Sequence, residues 1–387
     1  MSNPWRPVLV VCPLCFCAGG LYGWSALIDP LQAQFGVSTA QTGLVFSLAI
    51  VCFTAAVIGT PHVLPQWHPL RRVAAFGVGA AFALILALAA PSYPLFVLFF
   101  SGGFGTLSGA IYVASVTISA QSPYHRMATP LMVASFGQGG AVFGPLWRLL
   151  GEAWGLSAIW PLVICLALAS LAIEARPKDQ ASAPPTLERA KPVRSTPPRV
   201  VFPLIWAIFA LGSFAGLMVL GLAAKMLDVA SAPAGLASLT LAGIAIGNTG
   251  GRLSVAGFTR VITPITVVFV ATGLGIFGLA MTLLAHGAGA LALGLCVIAG
   301  GYGVIASAIP NLVRATYGAA EFQRRFSRIF LAWGFAGFCA PWVGAALFDR
   351  TGTFQSAVVL AMLASLACGV AAVLLLRVMS RLPDGLD

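Results

Sequence analysis

The stretch SGGFGTLSGAI, Ser101 to Ile111, returns as AGGYGVIASAI, Ala299 to Ile309, 198 residues later. A second pair, FGPLW at Phe143–Trp147 and CAPWV at Cys339–Val343, is spaced by 196 residues. Both offsets are about half of the 387-residue chain. Two similar halves with matching segments in the same serial position predict a parallel six-plus-six repeat. Such repeats hold a substrate at the interface between halves, near the bilayer midplane. Chance likeness among Gly- and Ala-rich helices is the competing reading, and the span count and linker below weigh against it.

Composition puts the chain in a membrane. Apolar residues make up 59% and charged residues only 8%, whereas a water-soluble domain carries roughly 25% charged residues. The apolar runs are long enough for helices that cross ~30 Å of hydrocarbon, and they lack the ten-residue alternation of an outer-membrane barrel. Hydropathy windows predict an all-α membrane protein with twelve spans: 8–29, 40–61, 73–90, 94–119, 128–150, 156–174, 201–222, 234–257, 261–284, 288–312, 328–348 and 355–377. Residues 1–174 form an N-terminal six-helix bundle and 201–387 a C-terminal one. Between them, 175–200 is rich in Pro, Ser and charge and reads as a flexible cytoplasmic linker. Arg6 and the following apolar run fit a signal peptide loosely, but the run continues to Ile28 without a good cleavage region, so a first membrane helix is expected.

The net charge of +11 is spread over short connections between apolar runs, which argues against a nucleic-acid partner. With the N-terminus in the cytoplasm, 17 of the 21 Lys and Arg residues fall on cytoplasmic segments. Three (Arg148, Lys225, Arg350) fall outside and one, Arg252, within the membrane. The positive-inside rule therefore puts both termini and the linker in the cytoplasm. The absence of an organelle-targeting segment suits a bacterial inner membrane. The eight cysteines lie in apolar runs. CPLCFC (Cys12–Cys17) has no His or acid beside it, so the cysteines read as core residues and neither metal nor cofactor is expected.

Arg252 is the residue that composition does not explain. It lies in GIAIGNTGGRLSVAGFTR, Gly243 to Arg260, one helical turn after Asn248. Gly243, Gly247 and Gly251 form a small-residue stripe that lets another helix come close. If the helix ends near Arg260, Arg252 lies about 12 Å deep, at ~1.5 Å per residue. An arginine facing lipid there costs several kcal/mol, so a cavity or partner is expected. All ten acidic residues fall at span ends or in loops. An unpaired guanidinium in a wet cavity suits a carboxylate ligand, because its planar fork binds two oxygens at once. The competing reading is a structural arginine capped by helix carbonyls or lying near the interface.

Several stretches, in order, resemble the major facilitator superfamily and, within it, the oxalate/formate antiporters and related monocarboxylate transporters. They are LYGWSALIDPLQAQFGVSTAQTGLVFSL (Leu21–Leu48), GAIYVASV (Gly109–Val116), VASFGQGGAVFGPL (Val133–Leu146), GNTGGR (Gly247–Arg252) and FLAWGFAGFCAPWVGAALFD (Phe330–Asp349). The resemblance implies twelve helices in two bundles, and a substrate carboxylate bound by Arg252. The loop GTPHVLPQWHPLRR (Gly59–Arg72) departs from the superfamily's usual motif in lacking its aspartate. Proton-coupled relatives often carry an aspartate one turn before the arginine. Here that position is Asn248, which does not titrate, so exchange or facilitated diffusion is favoured over proton symport. The lysine expected near AWGFAG for oxalate is absent, and Trp333 stands in that segment. One fixed cation suits a monocarboxylate.

Tyr22, Trp24, Tyr112 and Tyr302 are candidates to line the cavity, as aromatics on these helices do in the family. Helix packing or an interface belt is the alternative for each. Gln138 is the amide of the fifth span, able to join helices or touch substrate. The expected protein is thus a monomeric secondary transporter of a small organic anion. The substrate-binding candidates are Arg252, Asn248, Tyr22, Trp24, Tyr112, Tyr302, Gln138 and Trp333. An exporter of amphipathic or drug-like compounds and a proton-coupled symporter are the alternatives within the fold. A membrane enzyme is disfavoured, because no acid, base and nucleophile converge within the spans.

Overall fold

The computed structural model describes residues 5–60, 67–120, 122, 125–174, 198–258 and 262–380. The predicted linker at 175–200 lies outside the described residues except for its last three, and Arg260 lies outside them too.

The chain begins with α1 (Arg6–Ala18), a 3-10 stretch (Gly19–Leu27) and α2 (Ile28–Phe35) in continuous succession. Then come α3 (Thr39–Gly59), α4 (Pro69–Leu88), the short α5 (Tyr93–Val97) running through a π-helical stretch (Leu98–Gly105) into α6 (Thr106–Ala120), α7 (His125–Trp154) and α8 (Trp160–Glu174). The second half holds α9 (Val201–Val229), α10 (Ala234–Phe258), α11 (Pro264–Leu283), α12 (Ala288–Thr351) and α13 (Gln355–Met379). α12 is broken at Gly318, where φ is +72°. The turn between α2 and α3 is specified locally. Gly36 takes the left-handed conformation that ends α2, and Ser38 and Gln41 cap α3 reciprocally.

Among the described residues, ten stretches are long and apolar enough to cross a bilayer. They differ from the twelve predicted spans in two places. The stretch Leu131–Glu174 covers two predicted spans as one, with α7 and α8 separated by a turn in which Gly155 has φ +56°. α10 is not among the ten, because Asn248, Arg252 and its glycines lower its hydropathy.

Helix ends also move. α9 extends to Val229, past the expected end at 222, because its charged last turns find partners: Lys225 pairs with Asp29, and Asp228 with Arg148. The first stretch, α9 and the first segment of α12 are the most enclosed, with 78%, 67% and 67% of their apolar windows buried, against 33% for α11 and 39% for α13. The latter two therefore present Phe277, Leu363, Leu366 and Val370 outward.

The repeat detected in sequence has a structural counterpart. A Cβ added at Gly105 would lie 2.9 Å from the Ala49 backbone of α3, and one at Gly303 would lie 2.0 Å from the Asn248 carbonyl of α10. Gly105 and Gly303 are 198 residues apart, and Ala49 and Asn248 are 199 apart. The same helix pair in each half thus closes through the same glycine. On this register Arg252 corresponds to Phe53: one half offers an aromatic ring where the other offers a cation.

Candidate functional site

α10 sets the centre of the site. Its glycine stripe lies against the first segment of α12: Cβ atoms at Gly247 and Gly251 would meet the Cys296 carbonyl at 2.9 Å and the Gly300 carbonyl at 2.2 Å. With that face occupied, Asn248 and Arg252 point elsewhere. Asn248 is fully buried and Arg252 half-buried. The Arg252 Nε donates to Asn248 Oδ1 at 3.1 Å, and the Asn248 Nδ2 is buried without a hydrogen-bond partner among the described residues. Arg252 lies six residues before the last residue of α10, about 9 Å along the axis and nearer that end than the sequence suggested. Among the described residues no carboxylate pairs with it.

Tyrosines frame the guanidinium. Its Cζ lies 5.7 Å from the Tyr302 ring centroid, within cation–π reach. Tyr22 and Tyr112 are its neighbours as well. The Tyr302 hydroxyl accepts from Trp333 Nε1 at 2.6 Å and lies 3.4 Å from the Tyr22 hydroxyl. A chain Tyr22–Tyr302–Trp333 therefore joins the first span to both segments of α12. Tyr112 stands in an aromatic wall with Phe53 and Phe136 at 5.6 and 5.0 Å between centroids. Phe53 touches Trp333 and Phe136 touches Tyr22, each at ring-contact distance.

Of the eight sequence candidates, the structure brings Arg252, Asn248, Tyr22, Tyr112, Tyr302 and Trp333 together. Trp24 lies apart from these six. It is fully buried against Phe96 and Phe100, with ring centroids 6.5 and 4.9 Å away, and its indole nitrogen has no partner among the described residues. Two residues after Tyr22 in a tight 3-10 stretch, its side chain leaves on a different face. Gln138 is half-buried on α7 two residues from Phe136, without a hydrogen bond among the described residues. Sequence reasoning missed Phe53 and Phe136. Phe53 emerges as the counterpart of Arg252 only on the 199-residue register seen in the structure, and nothing in the sequence singled out Phe136. Thr249 was missed as well: its buried hydroxyl, without a partner among the described residues, faces Gly137 of α7.

At the Asp29 end of the bundle, charges that looked like loop residues pair across the halves. Lys225 donates to Asp29 Oδ1 at 2.7 Å, Arg148 pairs with Asp228, and Asp349 Oδ2 accepts from the Ala40 amide at 2.7 Å. A narrow gap of about a water molecule's size lies between these pairs and the tyrosines, lined by both halves.

A search of solved structures returns a bacterial homolog of the human lysosomal transporter Spinster, crystallised in an inward-facing and occupied conformation. It superposes with a TM-score of 0.70 at 14% identity, over 99% of this chain and 98% of that one. The chain has the major facilitator fold. With its ten apolar membrane-length stretches it is an integral membrane protein. No protein-family description matches the sequence, and no curated protein matches it.

Proposed function

We propose that the chain is a secondary transporter of a small organic anion working by alternating access, with Arg252 binding the substrate carboxylate. The observation that carries this reading is a half-buried guanidinium without a carboxylate partner among the described residues, framed by tyrosines of both halves. The fully buried Asn248 amide nitrogen, without a partner among the described residues, is a second donor beside it. Both are donors to the anion that would satisfy them.

In this reading the chain crosses the membrane twelve times, in bundles 1–174 and 201–387 joined by a cytoplasmic linker at 175–200. α7, α8 and α10 supply the crossings that complete the count. Both termini are cytoplasmic in a bacterial inner membrane, which the Lys and Arg distribution supports. The Asp29 end is then external, and its ion pairs hold the outside closed while the halves rock about the tyrosine chain. Asn248 carries no proton, so the transport mode is exchange or facilitated diffusion of a monocarboxylate. The aromatic wall of Phe53, Phe136 and Trp333 favours one alternative, an exporter of amphipathic compounds.

The test is counterflow in liposomes loaded with a small carboxylate, using labelled formate, acetate, lactate, pyruvate and oxalate, with Arg252→Gln in parallel and with or without a pH gradient. Uptake that needs internal carboxylate, ignores the gradient and disappears in Arg252→Gln supports the reading. Gradient-driven uptake points to proton symport. Normal transport by Arg252→Gln, or no carboxylate movement, overturns the anion site.

A further inference from the structure

We infer that Asp29 and Asp228 share one proton when the halves meet at the Asp29 end, so that external acid holds the transporter closed to the outside. This rests on the reading of the chain as an alternating-access transporter with that end external. The two carboxyl groups come from opposite halves, Asp29 from α2 and Asp228 from α9, and they join in a side-chain hydrogen bond. Helix geometry builds the meeting. Lys225 reaches Asp29 at 2.7 Å, and Asp228 lies three residues further along the same face of α9. The helix that holds Asp29 therefore also sets a second acid against it. A hydrogen bond between two carboxyl groups needs a proton on one of them, because an ionised carboxylate only accepts.

The cations around the pair do not remove that need. Lys225 donates to Asp29 Oδ1 and Arg148 to Asp228 Oδ1, while Asp228 Oδ2 is buried with no donor among the described residues. Glu152, one turn after Arg148 on α7, adds a further negative charge to the cluster. Asp349, at the same end, is engaged with the Ala40 amide. Two carboxyl groups sharing a site do not both ionise readily, and the proton belongs to the pair rather than to either residue. When the halves part, each carboxyl group is hydrated alone and ionises at neutral pH. The closed arrangement thus binds a proton that the open one releases. By linkage, lowering the external pH stabilises closure, and that stabilisation is lost once the pH rises far enough to remove the shared proton. The proton enters and leaves on the external side, so it regulates the gate without crossing the membrane and drives no accumulation of substrate.

The experiment has two arms. Infrared spectra of the purified wild type are recorded at about pH 6, where ordinary carboxyl groups are ionised, with Asp29→Asn and Asp228→Asn in parallel. We expect the C=O stretch of a protonated carboxyl group in the wild type and its loss in both variants. Absence of the band from the wild type overturns the shared proton. The second arm labels Ser25→Cys, in a chain whose native cysteines are replaced, with a membrane-impermeant thiol reagent in vesicles of known orientation. Ser25 is 3% exposed and lines the gap between the halves, so its labelling reports opening. Asp228→Asn keeps an acceptor for Arg148 and offers Asp29 a permanent N–H, so it copies the protonated pair. The readout is the labelling rate without Asp228→Asn divided by the rate with it, which cancels the reagent's own pH dependence. From external pH ~8 to ~6 that ratio should fall, by up to about tenfold per pH unit, the limit for one proton. A ratio that is flat with pH overturns the switch. Labelling only from the cytoplasmic side overturns the underlying orientation instead.

Discussion

Lys225 of α9 reaches Asp29 of α2 across the two halves, its Nζ donating to Oδ1 at 2.7 Å. Arg148 and Asp228 pair the same halves in the opposite charge sense: the cation comes from the first half and the anion from the second. Partly exposed pairs of this kind contribute about 0–1 kcal/mol each, enough to bias a conformational equilibrium without locking it. In a variant lacking its eight native cysteines, a cysteine at Ser25 should label slowly with a membrane-impermeant thiol reagent. Lys225→Gln should speed labelling several-fold, and the swap Asp29→Lys with Lys225→Asp should restore slow labelling. Equal rates in all three would remove the pairs from any gating role.

In the proposed transport cycle Asn248 sets the coupling. Asn248→Asp puts a carboxylate one turn before Arg252, within the reach that now holds the Nε–Oδ1 bond of 3.1 Å. The new anion competes with substrate for the guanidinium, at a charge-assisted strength of about 1.5–3 kcal/mol. Uptake at neutral pH should fall by about tenfold or more and recover as the external pH drops and the carboxyl protonates. A pH-independent loss would mean that Asn248 acts only through packing.

Tyr302 holds the centre together. Tyr302→Phe leaves the Trp333 indole N–H without its acceptor at 2.6 Å in a site where Trp333 is 4% exposed. A stranded buried donor costs about 1–3 kcal/mol. Thermal melting in detergent should record that loss, and Trp333→Phe added to Tyr302→Phe should recover part of it. Additive losses in the double variant would contradict the bond.

The repeat glycines should be unforgiving. Gly303→Ala drives a methyl to 2.0 Å from the Asn248 carbonyl, and Gly105→Ala to 2.9 Å from Ala49. Overpacking of this kind costs about 1–3 kcal/mol and sometimes more. Gly303→Ala should fold poorly and Gly105→Ala less so, whereas Gly250→Ala, with open space around it, should purify like the wild type. Monodisperse yield by size exclusion ranks the three.

Trp24 serves as the negative control. Because it packs on Phe96 and Phe100, Trp24→Phe should leave substrate affinity within about twofold, whereas Tyr22→Phe should weaken it. Equal effects of the two would return Trp24 to the site. The magnitude follows from the hydroxyl alone, since a neutral hydrogen bond contributes about 0.5–1.5 kcal/mol.

The sequence by itself determined the membrane class, the two-half plan and the oddity of Arg252. Each is a local or additive property: the apolar content of a window, a repeated string, one cation in an apolar run. Hydropathy also misled in a local way. It ended α9 at 222 because Lys225 and Asp228 look costly until their partners are known. The tertiary structure alone decided which groups meet. Asp29 and Lys225 are 196 residues apart, and Tyr22 and Tyr302 are 280 apart. Such encounters depend on how helices rotate and how closely glycines let them approach, and neither quantity is summed along a window. For the same reason Tyr22 turned toward Arg252 while Trp24, two residues on, turned away. Their chemistry is alike, and the 3-10 geometry beneath them separates the two.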